Sequence, residues 1–261
     1  MHRNQVNNPA QLLTLARDLQ RRKARERNGL FVAEGVRAVE ELARAGVPVR
    51  GVLVTPGLPG DGRGAAVVTV LAARGVPIAT LSDAEFESAA GTDNPQGILA
   101  IAEVPMTPLA GVDKAQLMRT LVLDGVQDPG NVGTLIRTAA ALGVRTIVAL
   151  PGTADLWNAK VVRGAVGGHF HLTVTTATLN ELATALRGAN VPLWGADTGG
   201  RAVDDLPAPH AFALAVGNEG AGLSPAVRAA AAQLVSLPMT AGVESLNVAV
   251  AAGVLLYALR S

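Results

Sequence analysis

Four short apolar runs in the C-terminal part of the chain constrain its fold more than any other feature. They lie at residues 121–126, 146–150, 193–196 and 212–216. Helical patterns alternate with them at 132–142, 179–188, 225–232 and 245–259. Runs that are apolar throughout, rather than at every second residue, are typical of parallel strands covered on both faces. This part of the chain is therefore predicted to be an α/β domain with a mostly parallel sheet.

The N-terminal part repeats this alternation on a smaller scale. Strands are predicted at 30–33, 49–54, 76–80 and 97–104, and a helix at 36–45 lies between the first two. Residues 105–116 hold two prolines and lack periodicity, which is typical of a linker. We therefore expect a small α/β domain at 1–104, a linker at 105–116 and the parallel-sheet domain at 117–261.

Composition excludes several classes of protein. The chain has no cysteine, so disulfide frameworks, thiolate zinc sites and cysteine nucleophiles are excluded. Residues 1–30 are polar, unlike a signal peptide, and the longest apolar run, 248–259, is shorter than the about 20 residues that span a bilayer. His169 and His171 lack the acidic neighbours of a metal site. We expect a cytoplasmic protein that binds neither membrane nor metal.

A local cluster of basic residues stands out against a nearly neutral chain, whose net charge is +1. Between residues 17 and 27, in a helical pattern, six Lys and Arg residues face two acidic residues. Arg21, Arg22 and Arg25 are candidates for contact with nucleic-acid phosphates, where each would add salt-dependent affinity. A solvated helix face explains the same cluster equally well.

The first segment that could carry chemistry is LVLDGVQDPGNVGTLIRTAAALGV at 121–144, in which a strand passes through a glycine-containing loop into an Ala-rich helix. Glycines at such a crossing let the backbone approach a ligand or a neighbouring strand. Asn131 is the expected N-cap, and Arg137, the only charge in the helix, favours an anionic partner. A tight strand-to-helix turn explains the glycines as well. The segment lacks both G-x-G-x-x-G and the P-loop pattern.

The second segment, ALAVGNEGAGLSP at 213–225, is a strand that ends in a glycine-rich turn. Small residues at the carboxyl end of a parallel strand form the usual ligand crevice of an α/β sheet. Glu219 is the only carboxylate there and is either a solvated turn residue or a partner for Arg137. Ser224 is a candidate N-cap, with Pro225 at the first helical position.

The third segment, SLPMTAGVESLNVAVAAGVLLYAL at 236–259, follows a short strand predicted at 234–237. A helix that begins near Ser245 is apolar nearly all round, as in helices buried in a core or against another subunit. Ser245 is a candidate cap, whereas Asn247 in the first turn has no evident structural role.

Together, and in this order, the three segments closely resemble the motifs of the SpoU (TrmH) family of RNA 2′-O-ribose methyltransferases, within the SPOUT superfamily. The matching polar residues are Asn131 and Arg137 in NVGTLIR, Glu219 in GNEGAGLS, and Ser245 and Asn247 in ESLNVAVAAGVLLY. FVAEGVRAVEELARAG at 31–46 and TDNPQGILAI at 92–101 look like the substrate-binding N-terminal domain of many members. The resemblance covers nearly the whole chain.

The resemblance implies a C-terminal domain of the SPOUT type with a deep trefoil knot, and a smaller N-terminal α/β domain of the ribosomal-protein-like, RNA-binding kind. It implies S-adenosylmethionine as the cofactor, held around Gly217, Leu237, Met239 and Leu246. The expected partner is structured RNA, with ribosomal RNA ahead of tRNA. A homodimer packed through the knotted domain is also implied, and the apolar helix at 245–259 gives an independent reason for it.

By resemblance, the catalytic residues are Arg137, Asn131, Glu219, Ser245 and Asn247. Methyl transfer requires a ribose 2′-oxygen aligned with the methyl–sulfur bond and a route for its proton. Because the pKa of free Arg is above about 12, we expect Arg137 to clamp the adjacent phosphate and stabilise the developing alkoxide rather than act as a base. Asn131 and Glu219 would orient Arg137, and Ser245 and Asn247 would shape the pocket.

Other interpretations stay open at this point. The substrate could be tRNA, or the chain could be a non-catalytic RNA-binding or ribosome-assembly protein, although the intact Arg137, Glu219 and Asn247 argue against the latter. A nucleotide-dependent oxidoreductase lacks its glycine fingerprint. Housekeeping modification of the ribosome and antibiotic resistance by ribosome methylation are both compatible with the sequence.

Overall fold

A computed structural model of the chain describes residues 8–58, 62–105, 107–207, 209–240 and 245–260. The chain divides into two units, each built on one β-sheet. Unit 1 comprises Met1–Pro105 and Trp157–Phe170, and unit 2 comprises Met106–Leu156 and His171–Ser261. The short segment Trp157–Phe170 thus belongs to unit 1, although unit 2 residues precede and follow it.

Strands and helices among the described residues are numbered along the chain. The strands are β1 (Leu30–Glu34), β2 (Val49–Val54), β3 (Ile78–Thr80), β4 (Ile98–Glu103), β5 (Arg119–Asp124), β6 (Thr146–Ala149), β7 (Thr173–Thr176), β8 (Leu193–Ala202), β9 (Phe212–Gly217) and β10 (Gln233–Ser236). The α-helices are α1 (Pro9–Asp18), α2 (Arg22–Asn28), α3 (Val36–Arg44), α4 (Arg63–Ala73), α5 (Asp83–Glu87), α6 (Lys114–Leu117), α7 (Pro129–Ala141), α8 (Ala159–Ala165), α9 (Leu179–Ala189), α10 (Pro225–Ala230) and α11 (Val248–Ala258).

Unit 1 has a four-stranded sheet with the order β1-β4-β2-β3. Strand β4 is antiparallel to β1 and β2, and β2 is parallel to β3. Side chains alternate along β1, so that Val32 packs with Leu12 and Phe86 on one face while Phe31 packs with Val162 on the other. Helices α1 and α5 therefore cover one side of the sheet, and α3, α4 and α8 cover the other.

Unit 2 has a six-stranded sheet with the order β10-β8-β9-β5-β6-β7, and every neighbouring pair in it is parallel. Strand β9 is buried along its whole length, and β5 is buried from Thr120 onward. The parallel sheet predicted from the continuous apolar runs is confirmed. Helices α9 and α10 contribute Leu182, Leu186 and Val227 to the core, and α11 packs against α7.

Several predicted segments differ from the structure. Residues 105–116, predicted as a linker, are not all exposed, because Leu109 and Val112 are buried in the core of unit 2. The basic stretch at 17–27 is not one helix, since α1 ends at Asp18 and α2 begins at Arg22. The trefoil knot stays a prediction. None of the helices described is both long enough and apolar enough to cross a membrane.

Candidate active site

The three segments singled out in the sequence meet at the carboxyl edge of the six-stranded sheet. Strands β5 and β9 lie side by side in parallel, and Asp124 at the end of β5 is level with Gly217 at the end of β9. The first segment continues from β5 into α7, and the second continues from β9 into α10. The third follows β10 and enters α11, which packs against α7.

Glu219 joins the second segment to the first. Its carboxylate accepts hydrogen bonds from the backbone N–H groups of Gln127 (3.2 Å) and Asp128 (3.1 Å) and from Asn131 Nδ2 (3.0 Å). Burial acts to raise the pKa of Glu219, but the hydrogen bonds from Asn131, Asp128 and Gln127 help to outweigh it and leave the pKa below its usual value. The carboxylate therefore stays charged at the N-terminal end of α7, which favours negative charge.

Asn131 also forms a hydrogen bond with the third segment. Its Oδ1 atom accepts a hydrogen bond of 3.0 Å from Asn247 Nδ2, while Asn247 Oδ1 accepts from the N–H groups of Ala249 and Val250. Asn247 is thus the N-cap of α11, and the expectation that Ser245 begins this helix is wrong. We call the three hydrogen-bonded residues Glu219, Asn131 and Asn247 the polar chain. It links all three segments directly.

The N-cap of α7 also differs from the prediction. Asp128 caps the helix by accepting from the Gly130 N–H at 3.0 Å, and Pro129 takes the first helical position. Asn131 lies inside the first turn, so its side chain is available for the polar chain.

Gly217 permits a close approach of backbone within the second segment. A Cβ atom at this position would lie 2.1 Å from the carbonyl carbon of Gly222, which no side chain could tolerate. Beside it, Asn218 and Gly222 exchange two backbone hydrogen bonds of 2.9 Å. The loop therefore depends on glycine at 217 for its shape.

Asn218 and Asp124 are site residues that the sequence reasoning missed. Asn218 Oδ1 accepts from the N–H groups of Gly220 and Ala221, and its Nδ2 donates to Gly125 O. Asp124 is buried and accepts from the Ser224 N–H at 2.6 Å, while Ser224 caps α10 as predicted. An Asn next to glycine in a turn was the available signal for Asn218. The Asp124 contact spans 100 positions and left no local signal.

A cleft of about 610 Å³ opens beside the polar chain in unit 2. The four residues expected to hold a cofactor, Gly217, Leu237, Met239 and Leu246, all line it. Glu219, Ser245 and Asn247 line it as well. The cleft thus combines backbone at the end of β9 with apolar side chains and a polar rim, which is the usual construction of a small-molecule site.

Arg137 lies apart from the polar chain. It follows Asn131 by six residues, which places it about 240° around the axis of α7 and roughly 9 Å along it. Its side chain is exposed and has no hydrogen bond or ion pair with any residue that the structure describes. The expected contact between Glu219 and Arg137 is therefore wrong for the described chain, and Asn131 and Glu219 do not orient Arg137 by direct contact.

Helix α11 exposes an apolar stripe next to the helix that carries Arg137. Val250, Val254 and Tyr257 are 53%, 47% and 54% exposed, at the spacing of one helix face. We call these three residues the α11 stripe. Gly253, beside them, lies against Thr138 of α7, the neighbour of Arg137. Helix α11 thus meets α7 at the residue that follows Arg137.

The three arginines predicted to contact phosphates differ in exposure. Arg21 and Arg22 are exposed, and they pair with Asp18 and Glu26. Arg25 is only 4% exposed and donates to the carbonyl oxygens of Leu19 (2.7 Å) and Gln20 (2.9 Å). Arg25 holds the turn between α1 and α2 and is not available to phosphates, which corrects that prediction.

Within the described chain, no group of three or more His, Asp or Glu side chains is arranged to hold a metal ion.

Comparisons with known proteins agree with this geometry. Residues 118–257 match the model of the SpoU rRNA Methylase family, and residues 13–100 match that of the MRM3-like substrate binding domain. The chain is 36% identical over 245 residues to the 23S rRNA (guanosine(2553)-2'-O)-methyltransferase RlmP of Bacillus subtilis (strain 168), over 93% of each chain. It is 31% identical to the 23S rRNA (uridine(2479)-2'-O)-methyltransferase of Streptomyces viridochromogenes, over 90% of this chain and 84% of that one.

Solved structures show the same similarity across both units. The AdoMet-bound rRNA methyltransferase from Sinorhizobium meliloti superposes with a TM-score of 0.85 at 27% identity, covering 98% of this chain and 95% of that chain. The SpoU methyltransferase AviRb from Streptomyces viridochromogenes, in complex with AdoMet, gives a TM-score of 0.84 at 27% identity, covering 95% and 96%.

Proposed function

Because the chain belongs to the SpoU rRNA Methylase family, we propose that it transfers a methyl group from S-adenosylmethionine to a ribose 2′-hydroxyl of 23S ribosomal RNA. The observation that carries the proposal is the polar chain, which ties the three motif segments together beside the cleft. The choice of 23S rRNA rests on the similarity to two 23S rRNA 2′-O-methyltransferases. A ribosomal substrate implies action in the cytoplasm.

The cleft fits the proposed cofactor. Leu237, Met239 and Leu246 offer apolar surface to an adenine ring, and glycine at 217 permits the tight loop that lines the cleft beside them. S-adenosylmethionine supplies an electrophilic methyl carbon bonded to a positively charged sulfur. Ser245 and Asn247 lie on the wall of the same cleft, where they would shape the approach of the ribose.

The polar chain acts on geometry rather than on protons. Glu219 and Asn131 fix the first turn of α7 against the second segment, and Asn247 fixes the start of α11. The lowered pKa of Glu219 makes it a poor acceptor for the proton of a hydroxyl at neutral pH. The proton of the 2′-hydroxyl would then leave through the RNA phosphate or water.

Arg137 supplies positive charge from outside this chain of hydrogen bonds. A guanidinium group is positively charged and can bind phosphate with two parallel N–H donors. We assign Arg137 to the phosphate beside the reacting ribose and to stabilisation of the developing alkoxide. Its exposed position leaves it accessible to a large substrate.

We also propose a homodimer packed through the α11 stripe. Three neighbouring apolar side chains about half exposed to water favour burial against a matching surface, and a twofold axis brings the same patch from both copies together. Helix α7, which carries Arg137 and packs against α11, would then lie close to the border of the two subunits.

RNA selection is assigned to unit 1, with Arg21 and Arg22 as proposed phosphate contacts. Both side chains are exposed, and the partner of Arg22, Glu26, is exposed as well, whereas Asp18, the partner of Arg21, is partly enclosed. Arg25 is left out because its donors are used internally.

The test separates cofactor binding, RNA binding and methyl transfer in one set of proteins. Arg137→Ala should keep S-adenosylmethionine binding by calorimetry and lose methyl transfer to 23S rRNA by two or more orders of magnitude, on the order of 3 kcal/mol of transition-state stabilisation. A double charge reversal at Arg21 and Arg22 should instead weaken RNA binding and leave cofactor affinity unchanged.

Near-normal turnover of Arg137→Ala would refute the catalytic assignment. Native protein that binds RNA but not S-adenosylmethionine would point to a non-catalytic RNA-binding protein. Methylation of tRNA in place of 23S rRNA would correct the substrate.

A further inference from the structure

One wall of the cleft is formed by an irregularity in β8. Trp194 and Gly195 pair with the first half of β10, and the pairing then resumes at Arg201 and Ala202 with the next two residues of β10. Residues 196–200 have no counterpart on β10 and bulge out between the two paired halves. Ala196, Asp197 and Thr198 of this bulge line the cleft.

Asp197 in the bulge forms an ion pair with Arg228 of α10. The carboxylate is largely enclosed, with 10% of its side chain exposed, and its Oδ1 accepts from the Gly199 N–H at 2.9 Å. Both oxygens of Asp197 thus have donors, and the bulge is held in shape. The Arg228 side chain is 49% exposed, and it lines the same cleft.

Arg228 has spare donors in the cleft. A guanidinium carries five N–H donors, and Asp197 is the only hydrogen-bond acceptor for that of Arg228 among the described residues. Arg228 is also the one basic residue among the described residues that line the cleft, whereas Glu219 and Asp197 are both acidic. A negatively charged group of a ligand in this cleft would have Arg228 as its matching side chain.

S-adenosylmethionine carries such a group, the α-carboxylate of its amino-acid end. Resting on the proposed function, we propose that Arg228 binds this carboxylate, with Asp197 as the positioning residue that holds the guanidinium at the cleft wall. An arginine fixed by a carboxylate loses less conformational freedom on binding than a free one. The adenosine part of the cofactor is held elsewhere in the cleft, so its affinity does not depend on Arg228.

The experiment compares two ligands that differ in the amino-acid end, which carries the carboxylate together with an ammonium group. S-adenosylhomocysteine has the amino-acid end, and 5′-methylthioadenosine has the same nucleoside thioether without it. In calorimetry, Arg228→Ala should weaken S-adenosylhomocysteine binding by roughly 10- to 100-fold, the range of a charge-assisted hydrogen-bonded contact, and leave 5′-methylthioadenosine unchanged. Arg228→Lys, which keeps the charge without the planar fork, should show a smaller loss of the same selectivity.

Two further variants complete the design. Asp197→Asn should reduce the preference for S-adenosylhomocysteine without changing 5′-methylthioadenosine affinity, an effect that a merely structural role would not produce. Arg187→Ala, at an exposed arginine of α9 outside the cleft lining, should leave both affinities unchanged.

Equal losses for both ligands in Arg228→Ala and Arg228→Lys, or no loss for either, would overturn the assignment. Failure of the native protein to bind S-adenosylhomocysteine at all would overturn the proposed function and this assignment with it.

Discussion

Each unit contains a carboxylate that accepts backbone hydrogen bonds, and the two differ in whether a cation accompanies them. Glu34, at the end of β1, is 3% exposed and accepts from the Gly91 N–H at 2.8 Å and from the Thr92 hydroxyl. Its third contact is a cation, Arg163 of α8, at 3.4 Å. Glu219 is exposed, and its side-chain and backbone donors are all neutral.

The environment of Glu34 is that of a structural charge, whereas the environment of Glu219 suits the functional role proposed for it. A carboxylate as deeply buried as Glu34 needs a counter-charge, and Arg163 supplies it while fastening the Trp157–Phe170 segment to unit 1. Glu219 is close enough to water to remain ionised without a cation. Its negative charge is therefore left at the border of the cleft, where a cationic cofactor would bind.

The largest effect is expected at the buried pair. Glu34→Ala removes the acceptor of the Gly91 N–H and the counter-charge of the partly enclosed Arg163, so the free energy of unfolding should fall by about 3 kcal/mol in denaturant titrations. Turnover per folded molecule should stay near native. Glu26→Ala, which removes an exposed partner of Arg22, is the control and should cost less than about 1 kcal/mol. Equal losses in both variants would contradict the contrast between the two carboxylates.

At Glu219 the expected effect falls on activity instead. Glu219→Gln keeps the size of the side chain but replaces one of the two oxygens that accept backbone N–H groups by an NH2 donor. Methyl transfer should therefore slow roughly 10- to 100-fold. Unfolding free energy should change by about 1 kcal/mol or less. Glu181→Gln removes a similar carboxylate that accepts a backbone N–H in the capping box of α9, away from the cleft, and should leave turnover unchanged. A variant at 219 that is unstable but fully active would reverse the assignment.

The smallest effect is a pH dependence. Because the folded-state pKa of Glu219 lies below its usual 4.5, its stabilisation is present above 4.5 and is lost as the pH falls through the folded-state pKa. The stability difference between the native protein and Glu219→Gln should therefore shrink under acid conditions. The pKa values of Glu85 and Glu181 are also lowered, so only this difference, from unfolding titrations across acid pH, isolates Glu219. A constant difference would show that the charge of Glu219 contributes nothing.

The fold was predictable where the signal is local. Continuous apolar runs identified β5, β6, β8 and β9 but not β7, which holds three threonines, and the family resemblance was confirmed by the match over residues 118–257. The prolines that favoured a linker at 105–116 gave no indication that Leu109 and Val112 are buried in unit 2. Pro129 at the first helical position could have identified Asp128 as the N-cap in place of Asn131.

The site was predictable as a set of residues but not as a set of contacts. Resemblance identified Asn131, Glu219 and Asn247, yet their hydrogen bonds span 88 and 116 positions and follow from tertiary packing. The Asp197–Arg228 pair depends on a strand irregularity that no local pattern reveals. The burial of Arg25 likewise depends on the turn that its guanidinium closes.

The assignment of Trp157–Phe170 to unit 1 has a consequence for the modularity of the chain. The polypeptide changes from one unit to the other three times, so one cut cannot release unit 1 whole. The ring of Phe31 lies 4.6 Å from that of Trp157, and Phe31 also packs with Val162. A graft of residues 1–104 would leave both of these partners behind. Exchanging unit 1 between relatives therefore requires transplanting two separate pieces of sequence together.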